Sequence, residues 1–465
     1  MENNTQPVTD NKMPDCKENQ TFSENAEKNI VKDNLRLLND SLFCEVLEVF
    51  EKTHFITTDS RKINGNGIFV ALKGDFYDAN TFAKSAIDNG ADLVIIDKPE
   101  YFINEKTLLI EDSLLFLQKF ANYYRKTFDI PVIAISGTNG KTTTKELMYE
   151  VLSTKFVTQA TQGNLNNQIG VPLTILSWKR NIEIAVVEMG ASHIGDIDEL
   201  CRIAEPSIGL LTNIGTAHIE GFGSFEGVVR TKTELYRYIE AHNGKVFVNT
   251  DDENLQKHAP DNKITYSLLT QADVSAVKTD LKQPFAAIEL QKTTIHSHLV
   301  GSYNCYNMLA AATVGLFFSI DIKQIKQALE KYEPQNNRSQ VKKTQKNTLI
   351  LDCYNANPSS CRYALEAFNE ISAKDKRIFI GEMRELGEVS QAEHKAIAEI
   401  ILSMNLTQAV FVGNEYKSYA FVPKCFWFET SEEARNFFQT QNIKNSLILI
   451  KGSRATKMEI LQDVL

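Results

Sequence analysis

The run Ser136-Gly137-Thr138-Asn139-Gly140-Lys141-Thr142-Thr143-Thr144 constrains this chain more than any other segment. An apolar strand candidate, Val132 to Ile135, ends just before it, and a helical pattern, Lys141 to Thr154, follows at once. Strand, glycine loop and helix in that order form the context of a phosphate-binding loop. Gly137 and Gly140 let successive N–H groups turn into one concavity, and the helix start adds its positive dipole. Lys141 supplies a cation for the β and γ phosphates and Thr142 a hydroxyl for magnesium, with Thr138, Asn139 and Thr143 in the same nucleotide-binding loop. The spacing is GxxGKT, shorter than the usual P-loop, because Ile135 stands where the first glycine would be. An ordinary glycine turn after a strand is the alternative, and the strand and helix on either side weigh against it.

Around this loop the chain alternates apolar runs with amphipathic stretches: VIAIS; IAVVEMG, then Ile194 to Ile203; IGLLTNIG, then Phe225 to His242; KVFVN. Such alternation predicts parallel strands joined by right-handed crossovers, a doubly wound sheet. A second series, TLILD, helix Ser359 to Ile371, RIFIGEM, helix Gln391 to Met404, QAVFVG and SLILIKG, predicts a Rossmann-like sheet. Before both, strand-like runs at Gly67 to Leu72 and Ala91 to Ile96 flank a helical stretch, Asn80 to Asn89, and predict a small α/β domain. The expected fold is therefore α/β in three domains, 34–127, 128–334 and 335–465, after a disordered polar tail, 1–33. With 43% hydrophobic and 23% charged residues, each domain can bury its own core.

A net charge of -9 gives no support for nucleic acid or a membrane surface as partner. Neither a signal peptide nor an apolar run of spanning length is evident, so a cytoplasmic protein without membrane insertion is expected. The seven cysteines include no CxxC pair and read as reduced, buried thiols. Glu188 ends one apolar run and His218 follows another, which puts both at carboxyl ends of parallel strands, where active sites of open α/β sheets gather. Taken singly, Glu188 is also consistent with a solvated strand-end charge, and His218 with a hydrogen-bonded loop histidine.

GTNGKTT at Gly137 to Thr143 is similar to the loop of the Mur ligases and their folylpolyglutamate synthetase relatives. Four further segments occur in the order that family has: EMGAS from Glu188, TNIGTAH from Thr212, YNANP from Tyr354, and GEMRELGE from Gly381, with KGSR from Lys451 closing the series. The resemblance runs from about Thr58 to the C-terminus. YNANP and MRELGE point to the member that joins D-alanyl-D-alanine to UDP-N-acetylmuramoyl-tripeptide, and argue against sister ligases adding diaminopimelate, lysine or glutamate. A P-loop ATPase that moves partners is the rival from another class; no heptads and no second P-loop support it.

The resemblance implies ATP, an acyl phosphate intermediate and two magnesium sites. A monomer is expected, and the three-part organisation predicts that the C-terminal section closes over the nucleotide. It assigns Thr142 and Glu188 to one metal, and His218 with a carbamylated Lys232 to the other. Asn304 and Asn307 match residues that face adenine, although Asn304 is equally open to a helix-capping role. Arg338 matches a linker residue reaching phosphate, Asp352 one reaching ribose, and Tyr354 and Asn357 frame the same wall. Thr58, Ser60, Arg61, Lys73 and Gly74 resemble UDP-binding loops. Asn164, Asn166 and Asn167 match the segment meeting the muramoyl peptide, and Lys451, Ser453 and Arg454 are candidates for the dipeptide carboxylate. Tyr303 stands where histidine is commoner, and Ala455 and Thr456 replace the usual Gly-Met.

Overall fold

The computed structural model describes residues 34–215, 219–279 and 284–465. The expected tail and His218 lie outside them. The chain divides into two compact units between Tyr124 and Arg125.

In the first unit a parallel sheet runs in the order Ile56–Thr57, Ile68–Val70, Leu93–Ile96 and Thr107–Leu109. Two of these strands and the flanking helices Asp40–Thr53 and Ser113–Arg125 go beyond the sequence expectation. Strands of two or three residues are too short to show a period, which is why they escaped it. The first helix starts where the Asn39 side chain accepts from Leu42 N at 3.0 Å. Its apolar side packs Phe43 and Phe50 against Phe116, Phe120 and Tyr124. The expected helix from Asn80 is shorter, a 3-10 turn Ala79–Phe82 running into Ala83–Asp88.

The second unit holds two sheets. One has nine strands in the order Thr293–Val300, Phe285–Leu290, Val274–Lys278, Lys263–Ser267, Lys245–Asn249, Ile208–Leu211, Val132–Ser136, Ile184–Glu188, Thr158–Ala160. It is parallel except at one edge, where Phe285–Leu290 and Thr293–Val300 add antiparallel strands. Val132–Ser136 is buried along its length, as a strand covered on both faces must be. Later strands leave it in opposite directions on either side, so the P-loop sits at a topological switch point. The helices Lys141–Leu152 and Asn304–Phe317 share a core with this sheet through Leu147, Met148, Val151, Met308, Leu309 and Ala312.

The continuous helix expected from Phe225 to His242 is two helices, Phe225–Lys232 and Glu234–Ala241. At the break, the Thr233 hydroxyl donates back to Val229 O at 2.8 Å, a local bond that competes with regular helix. Lys232 therefore ends a helix instead of lying within one.

The other sheet has six strands in the order Gln340–Lys343, Thr348–Asp352, Leu447–Lys451, Lys376–Gly381, Gln408–Val412, Cys425–Phe428, all parallel but the first pair. Among the described residues no helix is long and apolar enough to cross a membrane.

Candidate active site

At the carboxyl edge of the nine-stranded sheet opens a cavity of about 980 Å³. Its wall combines the P-loop from Thr138 to Thr143 with Glu188, Asn304, Asn307, Arg338, Asp352, Tyr354, Asn357, Lys451 and Arg454. Asn164, Asn166 and Asn167 line it too. Residues that the sequence scatters over three hundred positions are thus brought to one place by the order of the strands.

The P-loop is held from below. Gly137 has φ +134° and a Cβ there would stand 2.1 Å from Thr212 Oγ1, so only glycine fits. That hydroxyl donates to Asn139 O at 2.6 Å, and the Asn213 amide donates to the same carbonyl at 3.0 Å. Thr212 and Asn213 thereby shape the loop, which is the physical content of the TNIGTAH segment. The Asn139 side chain is bound from the six-stranded sheet: its Nδ2 donates to Ser359 Oγ at 2.7 Å, and its Oδ1 accepts from Asn357 Nδ2 at 2.9 Å. Asn357 also caps the helix Pro358–Glu370, accepting from Ser360 N at 2.8 Å.

Charge on this edge is incompletely matched. The Lys141 ammonium donates only to backbone, to Gly137 O at 2.8 Å and Thr138 O at 3.1 Å. Burial lowers its pKa, with Glu188 opposing and Arg338 adding to the shift. Glu188 is 1% exposed; its Oε1 accepts from Asn166 Nδ2 at 2.7 Å, while Oε2 is buried with no hydrogen-bond partner. Its backbone N donates to Thr161 Oγ1 at 3.0 Å, and Thr161 O in turn accepts from the buried Lys145 at 2.7 Å.

Lys232 is 2% exposed, with its ammonium 5.5 Å from the centre of the Phe222 ring. Its pKa is lowered to about 7, first by burial and then by the charge of Lys141, against the pull of Asp196 and Glu234. Glu234 is itself engaged, accepting from Gly195 N at 2.8 Å and Asp198 N at 3.1 Å at the start of the helix Asp196–Ala204.

Asn304 and Asn307 line the cavity, yet their amides are turned on each other. Asn307 Nδ2 donates to Asn304 Oδ1 at 2.7 Å and its Oδ1 accepts from Thr144 at 3.1 Å. Asn304 Nδ2 donates to Val300 O at 2.8 Å and does not cap its helix, which begins after Tyr303 without a side-chain cap. The chain of polar contacts continues through Ser339, whose Oγ meets Tyr303 OH at 2.8 Å and whose N donates to Asp352 Oδ1 at 3.2 Å. It ends on Lys451, 1% exposed, which donates to Asp352 Oδ2 at 2.6 Å. Burial pulls the Lys451 ammonium down, but the charge of Asp352 and its hydrogen bond outweigh this and raise the pKa.

Arg338 lies 3.9 Å over the Tyr354 ring, and Arg454, exposed, reaches the same ring at 5.8 Å. Ser453 is buried beside it with an unpartnered Oγ and does not line the cavity. In the first unit, Arg61 forms an exposed pair with Asp59 at 2.8 Å, and Lys73, on the hairpin Lys73–Gly74/Tyr77–Asp78, pairs with the buried Asp97 at 3.1 Å. Thr58 and Ser60 are half-buried near that arginine in sequence.

Sequence reasoning passed over Asn249, Asp251, Asp252 and Lys278, all on the cavity wall. Position was the missed signal, since Asn249 ends a strand of the same carboxyl edge. Ser192, the last residue of the EMGAS segment, lines the cavity, as do His193 and Asp196 beyond it.

Three sequence profiles match the chain: "Mur ligase family, catalytic domain" over residues 52–125, "Mur ligase middle domain" over 135–315, and "Mur ligase, glutamate ligase domain" over 337–454. UDP-N-acetylmuramoyl-tripeptide--D-alanyl-D-alanine ligase of Bacillus subtilis (strain 168) is 31% identical over 433 residues, covering 90% of this chain and 94% of the relative. The Haemophilus influenzae enzyme of the same name is 33% identical over 428 residues, covering 87% and 92%. Among solved structures, MurF from Acinetobacter baumannii superposes with a TM-score of 0.79 at 31% identity, covering 88% of this chain and 92% of that one. MurF ligase from Thermotoga maritima in complex with ADP gives 0.78 at 27% identity, covering 88% and 96%.

Proposed function

The chain belongs to the Mur ligase family, and from that premise we infer that it is an ATP-dependent ligase joining D-alanyl-D-alanine to UDP-N-acetylmuramoyl-tripeptide, a step of peptidoglycan synthesis. The observation that carries this reading is one cavity holding the P-loop cation, a buried carboxylate with a free oxygen and an arginine from the linker. A carboxylate resists attack by an amine because oxide is a poor leaving group. Transfer of the γ-phosphoryl of ATP to the tripeptide carboxylate makes an acyl phosphate and ADP. The dipeptide amine then attacks the carbonyl carbon, loses a proton and expels phosphate. Positioning and cationic stabilisation dominate such chemistry. Lys141, freed from its two carbonyls, is the proposed partner of the transferring phosphoryl. Arg338 takes the triphosphate from the opposite wall, and Asp352 the ribose.

The residues fit a hard cation. Glu188 keeps a buried oxygen unpartnered, and the Thr142 hydroxyl stands at the helix start beside Lys141. A magnesium ion held by Glu188 and Thr142 would complete its shell with phosphate and water. Bound there, magnesium would neutralise charge on the phosphates. For a second site the proposed ligands are His218 and Lys232 as its carbamate; the histidine rests on the family resemblance alone. Lys232 supports its own part, because a buried amine with a pKa lowered to about 7 is about half neutral at neutral pH, whereas an ordinary lysine is almost wholly protonated. The ammonium first loses one proton; the neutral amine then adds to carbon dioxide, forming an N–C bond and releasing a second proton, so that a cation becomes an anion.

The remaining assignments follow the same reading. Thr58, Ser60, Arg61, Lys73 and Gly74 are proposed for the UDP moiety, and Asn164, Asn166 and Asn167 for the muramoyl peptide. Asn304 and Asn307 are proposed at the adenine. Of the three candidates for the dipeptide carboxylate, exposed Arg454 is proposed as the direct contact, with Lys451 and Ser453 buried behind it as the residues that position that wall. The boundaries 34–127, 128–334 and 335–465, a monomer and a cytoplasmic location belong to the same proposal.

The test is phosphate release with ATP, D-alanyl-D-alanine and either of two nucleotide tripeptides, one bearing diaminopimelate and one lysine. Release is expected only with all three components, and the better tripeptide identifies the third residue. Equal ATP hydrolysis without peptide substrates would overturn the ligase reading.

A further inference from the structure

Arg338 is aimed by a linker fastened at both ends. The segment between the helix Ile322–Lys331 and the strand Gln340–Lys343 carries two non-glycine residues in the left-handed region, Asn337 at φ +56° and Ser339 at φ +50°, on either side of Arg338. Such backbone persists only where its surroundings impose it. Downstream, Ser339 is tied to Tyr303 and Asp352. Upstream, Tyr332 OH donates to Glu146 Oε2, and Asn336 Nδ2 donates to Glu146 Oε1 at 2.9 Å and Oε2 at 3.0 Å.

Glu146 lies on the P-loop helix Lys141–Leu152, four residues beyond Thr142 and so on the same face one turn along. A carboxylate at this place ties the linker to the very helix whose start forms the phosphate cradle. Between the two fastenings, Arg338 is held over Tyr354 on the cavity wall, with a buried Nε that has no partner.

We propose that Glu146 is a positioning residue for the nucleotide: by clamping Tyr332 and Asn336 it fixes the distance and direction of Arg338 relative to the P-loop. The inference rests on the nucleotide reading of the cavity. It is tested by ADP titration calorimetry and ATP kinetics on the full chain, with Glu146→Ala and Arg338→Ala combined in a double-mutant cycle. Glu146→Ala should weaken ADP binding and raise KM for ATP about tenfold with a smaller change in kcat, yet change either less than about twofold once Arg338 is already alanine. Tyr332→Phe, which removes one donor and keeps the ring, should fall between wild type and Glu146→Ala. Unchanged ADP affinity in folded Glu146→Ala, or a full additional loss in the Arg338→Ala background, would overturn the positioning role while leaving the nucleotide site intact. A wild-type chain that binds no ADP would overturn both readings.

Discussion

The two sheets of the second unit present the same kind of edge, carboxyl ends of parallel strands, and treat charge there in opposite ways. On the nine-stranded sheet, Glu188 keeps a buried oxygen without a partner and Lys141 rests on backbone carbonyls alone. On the six-stranded sheet, Asp352 and Lys451 neutralise each other at 2.6 Å, and the other carboxylate oxygen accepts from Ser339 N. An unsatisfied buried polar atom costs stability, about 1–3 kcal/mol and more for a charge, so a cation arriving at the Glu188 carboxylate would recover what the fold leaves unmatched there. The contrast separates roles: the first edge is arranged for phosphate and metal, and the second holds the geometry.

The comparison breaks most directly at Lys141. If the first edge carries the chemistry, Lys141→Ala should lose on the order of 10³-fold in ligation, because the lost cation acts on phosphate in transit. Thermal unfolding should move by no more than about 3 °C, as only two backbone contacts disappear with it. Ligation above a tenth of the wild-type rate would dissolve the distinction between the edges.

Lys232 sharpens it next. Lys232→Ala should lose about 10²-fold or more in turnover, and excess formate or acetate should restore part by supplying the missing carboxylate. Lys232→Arg should stay inactive, since guanidinium keeps its charge and forms no carbamate. The pH sign follows from the depressed pKa. Below about 7 the amine is protonated and cannot add carbon dioxide, so activity should rise with pH through about 7 and bicarbonate should help more on the upper side. In the unmodified chain the cost of burying this cation is fully present below about 7 and disappears as pH rises from there toward the free-lysine value. Full activity in both variants, with no mass increment for carbon dioxide, would make Lys232 a buried structural residue.

What the sequence reveals tracks the range of the interactions involved. The strand Val132–Ser136 and its loop were legible because burial on both faces, glycine and lysine are local demands, and Glu188 because strand ends converge by topology. The clamp of Glu146 on Asn336 spans 190 positions and announces itself by no period or motif. The same holds for Ser339, a lone serine whose importance arises from Tyr303 and Asp352 meeting it in space. Asn304 and Asn307 were conspicuous as amides in an otherwise apolar helix, but their mutual bond through Nδ2 and Oδ1 was not. In the first unit, the two-residue strand Ile56–Thr57 pairs with Ile68–Val70 through backbone alone, and backbone pairing leaves no trace in residue type.

The smallest effect on turnover is expected at Lys451, where the two readings of the second edge part. As a ligand for the dipeptide carboxylate, it would need a free ammonium; as found, it is 1% exposed, spends its short bond on Asp352 and has its pKa raised chiefly against burial by that charge. Breaking a buried pair by removing one partner leaves an uncompensated charge, and Lys451→Met should therefore lower stability by about 3 kcal/mol. Removing the other charge as well should recover part of this, so Lys451→Met with Asp352→Asn is expected to be the more stable of the two variants. Turnover of the single variant, measured well below its unfolding temperature, should fall by less than about tenfold with KM for D-alanyl-D-alanine nearly unchanged, because positioning is loosened while the phosphate edge stays intact. A selective rise in that KM, with stability preserved, would instead make Lys451 a substrate ligand and give the second edge a share in recognition. Arg454 then supplies the control: it is exposed and reaches only the Tyr354 ring, so Arg454→Ala should raise the dipeptide KM without the stability loss.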